Sequence, residues 1–170
     1  TFNINLESFN ISDGELDRII AENAQEKSKS GDLEGLGDVP LVVLTKPGDN
    51  WVLHEECTYL TDAGDTLVAP KGYETDLASV PRIFWALVSS FDLSLAAPLF
   101  HDLLYRCGGA LPKNQLKPNG DKRFERKDAD DLFLELMTKA EIRKWKREVA
   151  YWAVRRFAGF AWQKPQEPGS

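Results

Sequence analysis

Residues 51–70 read WVLHEECTYLTDAGDTLVAP, and this stretch decides the fold class. Its β-branched and aromatic runs are interrupted at DAGD, residues 62–65, which is typical of strands joined by a tight turn. The preceding run LVVLTK, residues 41–46, has the same character and ends before the turn PGDN. The pattern therefore predicts two or three antiparallel strands within residues 41–70.

The pattern changes after residue 70. The segment KGYETDLASVPRIFW, residues 71–85, reads as a loop in which Pro81 can open a helix at its first turn. Beyond it, helical spacing of apolar residues predicts three helices, at 94–106, at 126–140 and at about 141–162. We therefore expect an α+β fold, with a small antiparallel sheet (about 41–70) followed by a helical half.

The first forty residues are predicted to form an appendage. Residues 12–29 begin with the cap candidate Ser12, carry early acids and end in lysines, which is a helix signature with little apolar content. A Gly/Asp-rich linker follows at 30–40. We divide the chain into a helical arm and linker (1–40), an α+β domain (41–162) and a C-terminal tail (163–170).

Composition is that of one globular domain. The chain has 170 residues, of which 42% are hydrophobic and 28% charged. No apolar run approaches the roughly 18–20 residues that cross a bilayer, and TFNINLESF at the start has no signal-peptide pattern. We expect a soluble protein. Cys57 and Cys107 lack metal-ligand spacing and are predicted to be free thiols.

Charge and aromatic residues are unevenly distributed. Residues 1–65 hold 14 acidic and 4 basic residues, whereas residues 139–164 hold 8 basic and 2 acidic ones. The basic segment suits phosphates or anionic lipid, or the solvated face of an amphipathic helix. The five tryptophans predict core packing and an aromatic surface covered by another chain. Nothing indicates sequence-specific nucleic-acid recognition.

A histidine–aspartate constellation is the main candidate for chemistry. His101 and Asp102 are adjacent in AAPLFHDLLYR, residues 96–106, so they point about 100° apart on a helix, and Tyr105 lies over His101. Asp130, at the edge of the apolar side of the next helix, needs a partner, either Arg126 locally or His101 across the helix pair. His101 and Asp130 are the candidate catalytic pair, with Tyr105 and Arg126 in support.

Asp102 and a loop carboxylate are candidates for a cation site. With His101 turned towards Asp130, Asp102 is left to ligate a hard cation such as calcium, together with Asp76 and loop carbonyls. Thr75 and Ser79 are supporting candidates in the same loop. A structural role for Thr75, Asp76 and Ser79 in turns is an equal alternative, since these side chains bond backbone amides.

Three motifs in order resemble a known family. They are Gly-x-x-Thr-Asp-x-Ala-Ser-x-Pro within VAPKGYETDLASVPRIFW, His-Asp-x-x-Tyr within APLFHDLLYR, and Ala-Asp-x-x-Phe within RKDADDLFLELM. Over about residues 50–160 the chain resembles the domain-of-unknown-function family 1353 (DUF1353), found in bacteria, phages and prophages. The resemblance implies synthesis in the bacterial cytoplasm and incorporation into a phage particle. It implies no activity.

The paired helices are also similar to small calcium-dependent phospholipases of the A2 type. That resemblance implies that His101 activates water, Asp102 binds calcium and Asp130 orients His101. The chain departs from that pattern because it has no Gly-rich, Cys-containing calcium loop and no disulfides between the helices.

Three functional hypotheses follow. The first is a calcium-assisted esterase or phospholipase-like hydrolase acting on a lipid or ester. The second is a non-catalytic virion component, of the tail or head, in which the same residues form a structural network. Its phage or host partners would dock on the N-terminal arm and the Trp-rich surface. The third, a lysis or cell-wall factor, rests on the phage association alone.

Overall fold

A computed structural model describes residues 39–40, 42–46, 48, 50–76 and 95–163. Within these ranges six short strands precede or interrupt three helices, which confirms the α+β class. The predicted helix within 12–29, the helix expected after Pro81 and the domain boundary at residue 40 lie largely outside the described residues.

The strands form two small antiparallel sheets where the sequence predicts one. In the first sheet β2 (Trp51–Leu53) lies between β1 (Leu44–Thr45) and β5 (Glu74–Thr75). In the second, β4 (Thr66–Ala69) lies between β3 (Cys57–Leu60) and β6 (Leu116–Lys117). The sequence pattern marks the strands between 44 and 69, but β5 and β6 have only two residues each, too few to show a period.

Alternation along these strands turns one face of each sheet inward. In β3, Cys57 and Tyr59 are buried while Thr58 and Leu60 are exposed, and Cys57 pairs with Ala69 of β4. The rings of Tyr59 and Phe100 are 6.0 Å apart, so the second sheet packs on the helical half. Cys57 and Cys107 are free thiols, as predicted, and burial raises the pKa of Cys57 to about 12.

Three helices form the other half: α1 (Ala96–Arg106), α2 (Arg126–Lys139) and α3 (Lys144–Phe157). Residues 96–105 of α1 are all buried, which makes it the central helix. It packs against α2, which in turn packs against α3. A capping box begins α2, in which the Glu125 backbone N–H donates to the Asp128 carboxylate at 2.8 Å. The first two helices match the predicted segments to within two residues, whereas α3 begins three residues later and ends five residues earlier than predicted.

A glycine fixes the end of α1. Gly109 has a φ of 77°, its N–H donates to the Leu104 carbonyl at 2.9 Å, and its carbonyl accepts from the Phe124 N–H at 2.8 Å. A Cβ at this position would lie 1.8 Å from the Phe124 carbonyl oxygen. Gly109 therefore joins the end of α1 to the segment that leads into α2, and this sets where the two helices meet.

The end of α3 is tied back to the other two helices. Arg126 Nη2 donates to the Arg155 carbonyl at 2.8 Å, and a 3₁₀ turn (Ala158–Ala161) follows α3. The Gln163 N–H then donates to the Tyr105 carbonyl at 3.0 Å. These bonds hold the last turn of α3 beside the start of α2, and the segment after the 3₁₀ turn beside the C-terminal end of α1. None of the described helices is long and apolar enough to span a membrane.

Candidate functional site

The predicted contact between His101 and Asp130 is present. His101 Nε2 lies 2.8 Å from Asp130 Oδ1, and both side chains are completely buried. His101 is in the second turn of α1 and Asp130 in the second turn of α2, so the contact joins the two helices. The His101 ring also packs 5.0 Å from the Phe133 ring, centroid to centroid. The phenyl ring shields this side of the imidazole from water.

Asp130 accepts two further hydrogen bonds. The Tyr105 hydroxyl donates to Oδ1 at 2.6 Å, and Arg155 Nη1 of α3 donates to Oδ2 at 2.7 Å. Burial acts to raise the pKa of Asp130, but the hydrogen bonds from His101, Tyr105 and Arg155 outweigh it and lower the pKa. Asp130 is therefore an ionised carboxylate in the interior, paired with a guanidinium.

The ionised Asp130 fixes the tautomer of His101. Burial lowers the pKa of His101, and the hydrogen bond and charge of Asp130 oppose this shift only in part. The imidazole is therefore neutral at pH 7 and carries one proton. Because Asp130 Oδ1 is an acceptor, that proton is on Nε2, and Nδ1 carries the lone pair.

Nδ1 of His101 is the exceptional atom of this network. It is buried and has no hydrogen-bond partner among the described residues. Leaving a buried acceptor unsatisfied costs roughly 1–3 kcal/mol, and buried polar atoms are nearly always bonded in folded proteins. An imidazole with one nitrogen fixed by a carboxylate and the other nitrogen unpartnered has the form of a general base.

Tyr105 contributes in two ways. Its ring centroid lies 4.1 Å from that of His101, as expected for positions i and i+4 of a helix, and its hydroxyl contacts Asp130. Burial and the neighbouring Asp130 raise the pKa of the Tyr105 hydroxyl, so it stays a neutral donor. The predicted supporting role of Tyr105 thus has a geometric basis.

The guanidinium that contacts Asp130 belongs to Arg155, which was not predicted from the sequence. Arg126, its predicted local partner, donates instead to the Arg155 carbonyl. The positive charge of Arg126 also acts to lower the pKa of His101. The sequence predicted that a buried Asp130 needs a partner. Nothing in the sequence distinguishes Arg155 from its neighbour Arg156 as the inward residue.

Asp102 belongs to a second network, about 100° around α1 from His101. Its Oδ2 accepts from the Tyr73 hydroxyl at 2.8 Å and from the Thr75 hydroxyl at 2.7 Å, and Arg106 Nε lies 3.2 Å away. Arg106 also pairs with Asp76 at 3.2 Å and donates to the Glu74 carbonyl at 2.9 Å. This network ties β5 to α1. Tyr73 was not predicted.

These contacts do not fit a calcium site. Calcium takes six to eight oxygen ligands, whereas the oxygens of Asp102 and Asp76 face hydroxyl donors and the Arg106 guanidinium. Across residues 39–76 and 95–163, as far as they are described, no group of three His, Cys, Asp or Glu side chains is placed to hold a metal ion. Ser79, the remaining predicted supporting residue, lies outside the described residues.

A separate cavity of about 220 Å³ lies between the second sheet and α2. Four carboxylates and Lys122 line it, and Lys122 forms an ion pair with Asp65. The Glu135 carboxylate accepts from the Tyr59 hydroxyl at 2.6 Å and from the Asp62 N–H at 3.0 Å. The cavity thus borders on α2 but its lining contains neither His101 nor Asp130.

Comparison with protein families identifies the family of the chain. The model of the family described as "Protein of unknown function (DUF1353)" matches residues 51–154. The chain belongs to this family. The match spans β2 to the last turn of α3 and includes His101, Asp102, Tyr105 and Asp130, whereas Arg155 follows the last matched residue. No curated protein and no solved structure gives a significant match to the chain.

Proposed function

We propose that this DUF1353 protein is a hydrolase in which Nδ1 of His101 is the general base towards water, with a carboxylic ester as the substrate. The observation that carries the proposal is the buried, unpartnered Nδ1 of a neutral imidazole whose Nε2 is held by an ionised Asp130. A purely structural histidine in the interior is expected to have both nitrogens bonded.

The proposed reaction uses the lone pair of Nδ1. Nδ1 takes a proton from water while the water oxygen bonds to the ester carbonyl carbon, which gives a tetrahedral oxyanion. The bond from this carbon to the alcohol oxygen then breaks, the electron pair leaves with the alcohol, and the proton on Nδ1 is returned to it. Asp130 stays ionised throughout and stabilises the imidazolium formed between the two steps.

Tyr105 and Arg155 are positioning residues in this scheme. Both donate to Asp130 and so keep it charged and oriented towards Nε2. No residue of the Asp102 network is assigned a step in this scheme, because Asp102 pairs with Arg106. The phospholipase-like resemblance gives His101 and Asp130 the same roles as this scheme, activation of water and orientation of the histidine. Lipid esters are therefore among the substrates to be tested.

A second candidate is the non-catalytic virion component. It is favoured by the complete burial of His101 and Asp130 and by the way Asp130 joins all three helices. In that case the network stabilises the fold, and the unsatisfied hydrogen-bond acceptor at Nδ1 is a consequence of close packing around His101.

The test removes the lone pair of His101 Nδ1 while keeping a hydrogen bond to Asp130. In His101→Gln the side-chain amide N–H can still donate to Asp130, but the lone pair of Nδ1 is lost. Hydrolysis of p-nitrophenyl butyrate and of ester-linked phosphatidylcholine vesicles is measured for wild type, His101→Gln and the control His54→Gln, whose residue is exposed. Loss of a general base lowers kcat by roughly 10²–10⁴-fold.

The proposal expects activity in wild type and His54→Gln, and its loss in a His101→Gln protein whose melting temperature is close to that of wild type. Activity retained by His101→Gln contradicts the assignment of the base. Absence of hydrolysis in wild type on both substrates contradicts ester hydrolysis and favours the structural candidate.

A further inference from the structure

Large aromatic side chains are exposed at the C-terminal end of the described chain. Trp145, Trp152 and Phe157 of α3 are 52%, 50% and 45% exposed, and Phe160 of the following 3₁₀ turn is 84% exposed. These four residues are called the aromatic face below. Tryptophan and phenylalanine are rarely left in water at this density on one helix, and clustered exposure of this kind marks an interaction site.

Helix geometry explains why these residues point outward. The buried residues Lys146, Ala150, Ala153 and Val154 form the side of α3 that packs on the domain. Trp145 and Trp152 are seven residues apart, so they lie on one line along the other side. The Phe157 ring packs edge-on to the Trp152 ring at 5.5 Å, so the aromatic face is continuous over the last turns of α3.

Basic residues surround the aromatic face. Within residues 139–163 there are seven Lys and Arg and two acids, Glu141 and Glu148. Of the seven, Arg155 pairs with Asp130, Lys139 pairs with Asp62 and Lys146 is buried, which leaves Arg143, Lys144, Arg147 and Arg156 for the border. Arg156 is exposed and lies over the Phe157 ring at 5.7 Å, and Lys144, next to Trp145, is exposed as well. Apolar rings flanked by lysine and arginine are the composition of helices that lie in the plane of an anionic membrane surface.

We propose that the aromatic face and its basic border form a docking surface for an anionic lipid bilayer. The rings enter the boundary between headgroups and acyl chains, where tryptophan is favoured. The flanking cations meet lipid phosphates. The surface binds without crossing, because α3 has 14 residues, too few to span the hydrocarbon core.

Two other occupants fit the observations less well. Single-stranded nucleic acid stacks bases on open ring faces, but cations lie over Trp145 and Phe157, and Phe157 packs edge-on against Trp152. A second copy of the chain would bring two basic borders together, which is electrostatically unfavourable. Charge complementarity therefore favours a surface of anionic lipid.

The docking surface is adjacent to the proposed catalytic network. Trp152 precedes Arg155 by three residues, less than one turn of α3, and Arg155 contacts Asp130. The inference goes beyond the proposed hydrolysis and does not depend on it, since binding can occur without turnover. If both hold, a lipid ester would be presented within one helical turn of the site.

The test is co-sedimentation of the full chain with vesicles of ether-linked lipids, which lack the ester bond. Vesicles of pure phosphatidylcholine are compared with vesicles containing phosphatidylglycerol. The variants are Trp145→Gln/Trp152→Gln and Arg156→Gln, with matched controls at exposed positions outside the face, Leu60→Gln and Lys71→Gln. Leu60 is 62% exposed.

We expect binding that requires phosphatidylglycerol. The double tryptophan variant should lose at least about tenfold in partitioning, and Arg156→Gln about fivefold, as expected for one cation near the surface. Both controls should bind like wild type. If the double variant does not fold, Trp145→Gln and Arg156→Gln decide the question separately.

Several results would overturn the proposal. They are absence of binding, equal binding to both kinds of vesicle, and losses in Leu60→Gln or Lys71→Gln as large as those in the face variants. Oligothymidylate displacing the vesicles, or concentration-dependent dimers abolished by Trp152→Gln, would assign the face to nucleic acid or to a second copy. Neither outcome concerns hydrolysis, which is measured separately with ester substrates.

Discussion

Replacement of Asp130 by asparagine should strongly destabilise the domain. The substitution keeps the size of the side chain but removes the charge that Arg155 and Tyr105 contact at 2.7 and 2.6 Å. Breaking a buried ion pair costs about 3–5 kcal/mol. Arg155 is 34% exposed and regains part of its hydration, so the lower half of that range is expected.

The control for this substitution is the next carboxylate in the chain. Asp131 is 43% exposed and pairs with the exposed Lys127. Its replacement by asparagine should cost less than about 1 kcal/mol, as is usual for surface ion pairs. For a chain of this length 1 kcal/mol lowers the melting temperature by about 2–4 °C, so Asp130→Asn should melt roughly 6–16 °C below wild type.

The assay is urea unfolding at pH 7, followed by circular dichroism and repeated by thermal melting. The midpoint should fall for Asp130→Asn with an unchanged slope against urea, since the surface exposed on unfolding is the same. The reasoning is refuted if Asp130→Asn is within about 1 kcal/mol of wild type, or if Asp131→Asn is destabilised equally.

Three further outcomes are expected. Both His101 and Asp130 have lowered pKa values in the folded protein, so the unfolded chain binds more protons in acid. The stability that His101 contributes should be complete above about pH 6.5 and should be lost as the pH falls below it. The stability that Asp130 contributes should be lost below about pH 3.9, where an aspartate of the unfolded chain takes up its proton. Thermal melting from pH 4 to 8 measures the first of these losses, and a melting temperature constant across pH 5–7 would contradict the His101 contribution. Gly109→Ala should be far more destabilising than Gly72→Ala, because both glycines have positive φ but only a Cβ at Gly109 meets backbone, at 1.8 Å. If Gly109→Ala and Gly72→Ala melt at similar temperatures, the contact between Gly109 and the Phe124 backbone is not tight. Arg155→Met should lower the melting temperature and raise the pKa of Asp130, so its loss of stability in acid should begin at a higher pH than in wild type; an unchanged acid profile would argue against the pairing.

Much of the helical half follows from local pattern. The spacing of Ala129, Phe133 and Leu136 in α2 predicts both the helix and its buried side, and all three are completely buried. The position of Asp130 at the edge of that side predicts a partner from a neighbouring helix. The strands near residues 51–69 follow from their alternation in the same way.

Other features depend on contacts between distant segments, which local pattern does not contain. Arg155 lies in a basic run, and only the packing of α3 decides which arginine points inward. Asp102 looks available for a cation in the sequence, because Thr75 lies in a strand too short to predict and Tyr73 lies just before it. The two sheets differ from the single predicted one for the same reason, since β6 pairs with a strand about 50 residues earlier, Thr66 with Lys117.

The protonation of the His101 ring is the most direct test of the account. Nitrogen-15 NMR of the imidazole resonances distinguishes the two neutral tautomers from the doubly protonated ring, and the exposed His54, the other histidine of the chain, provides an internal reference. The account predicts that His101 at pH 7 carries its proton on Nε2 and has a bare Nδ1, with a pKa below the ordinary value for histidine. A proton on Nδ1, or a doubly protonated His101 at pH 7, would contradict it.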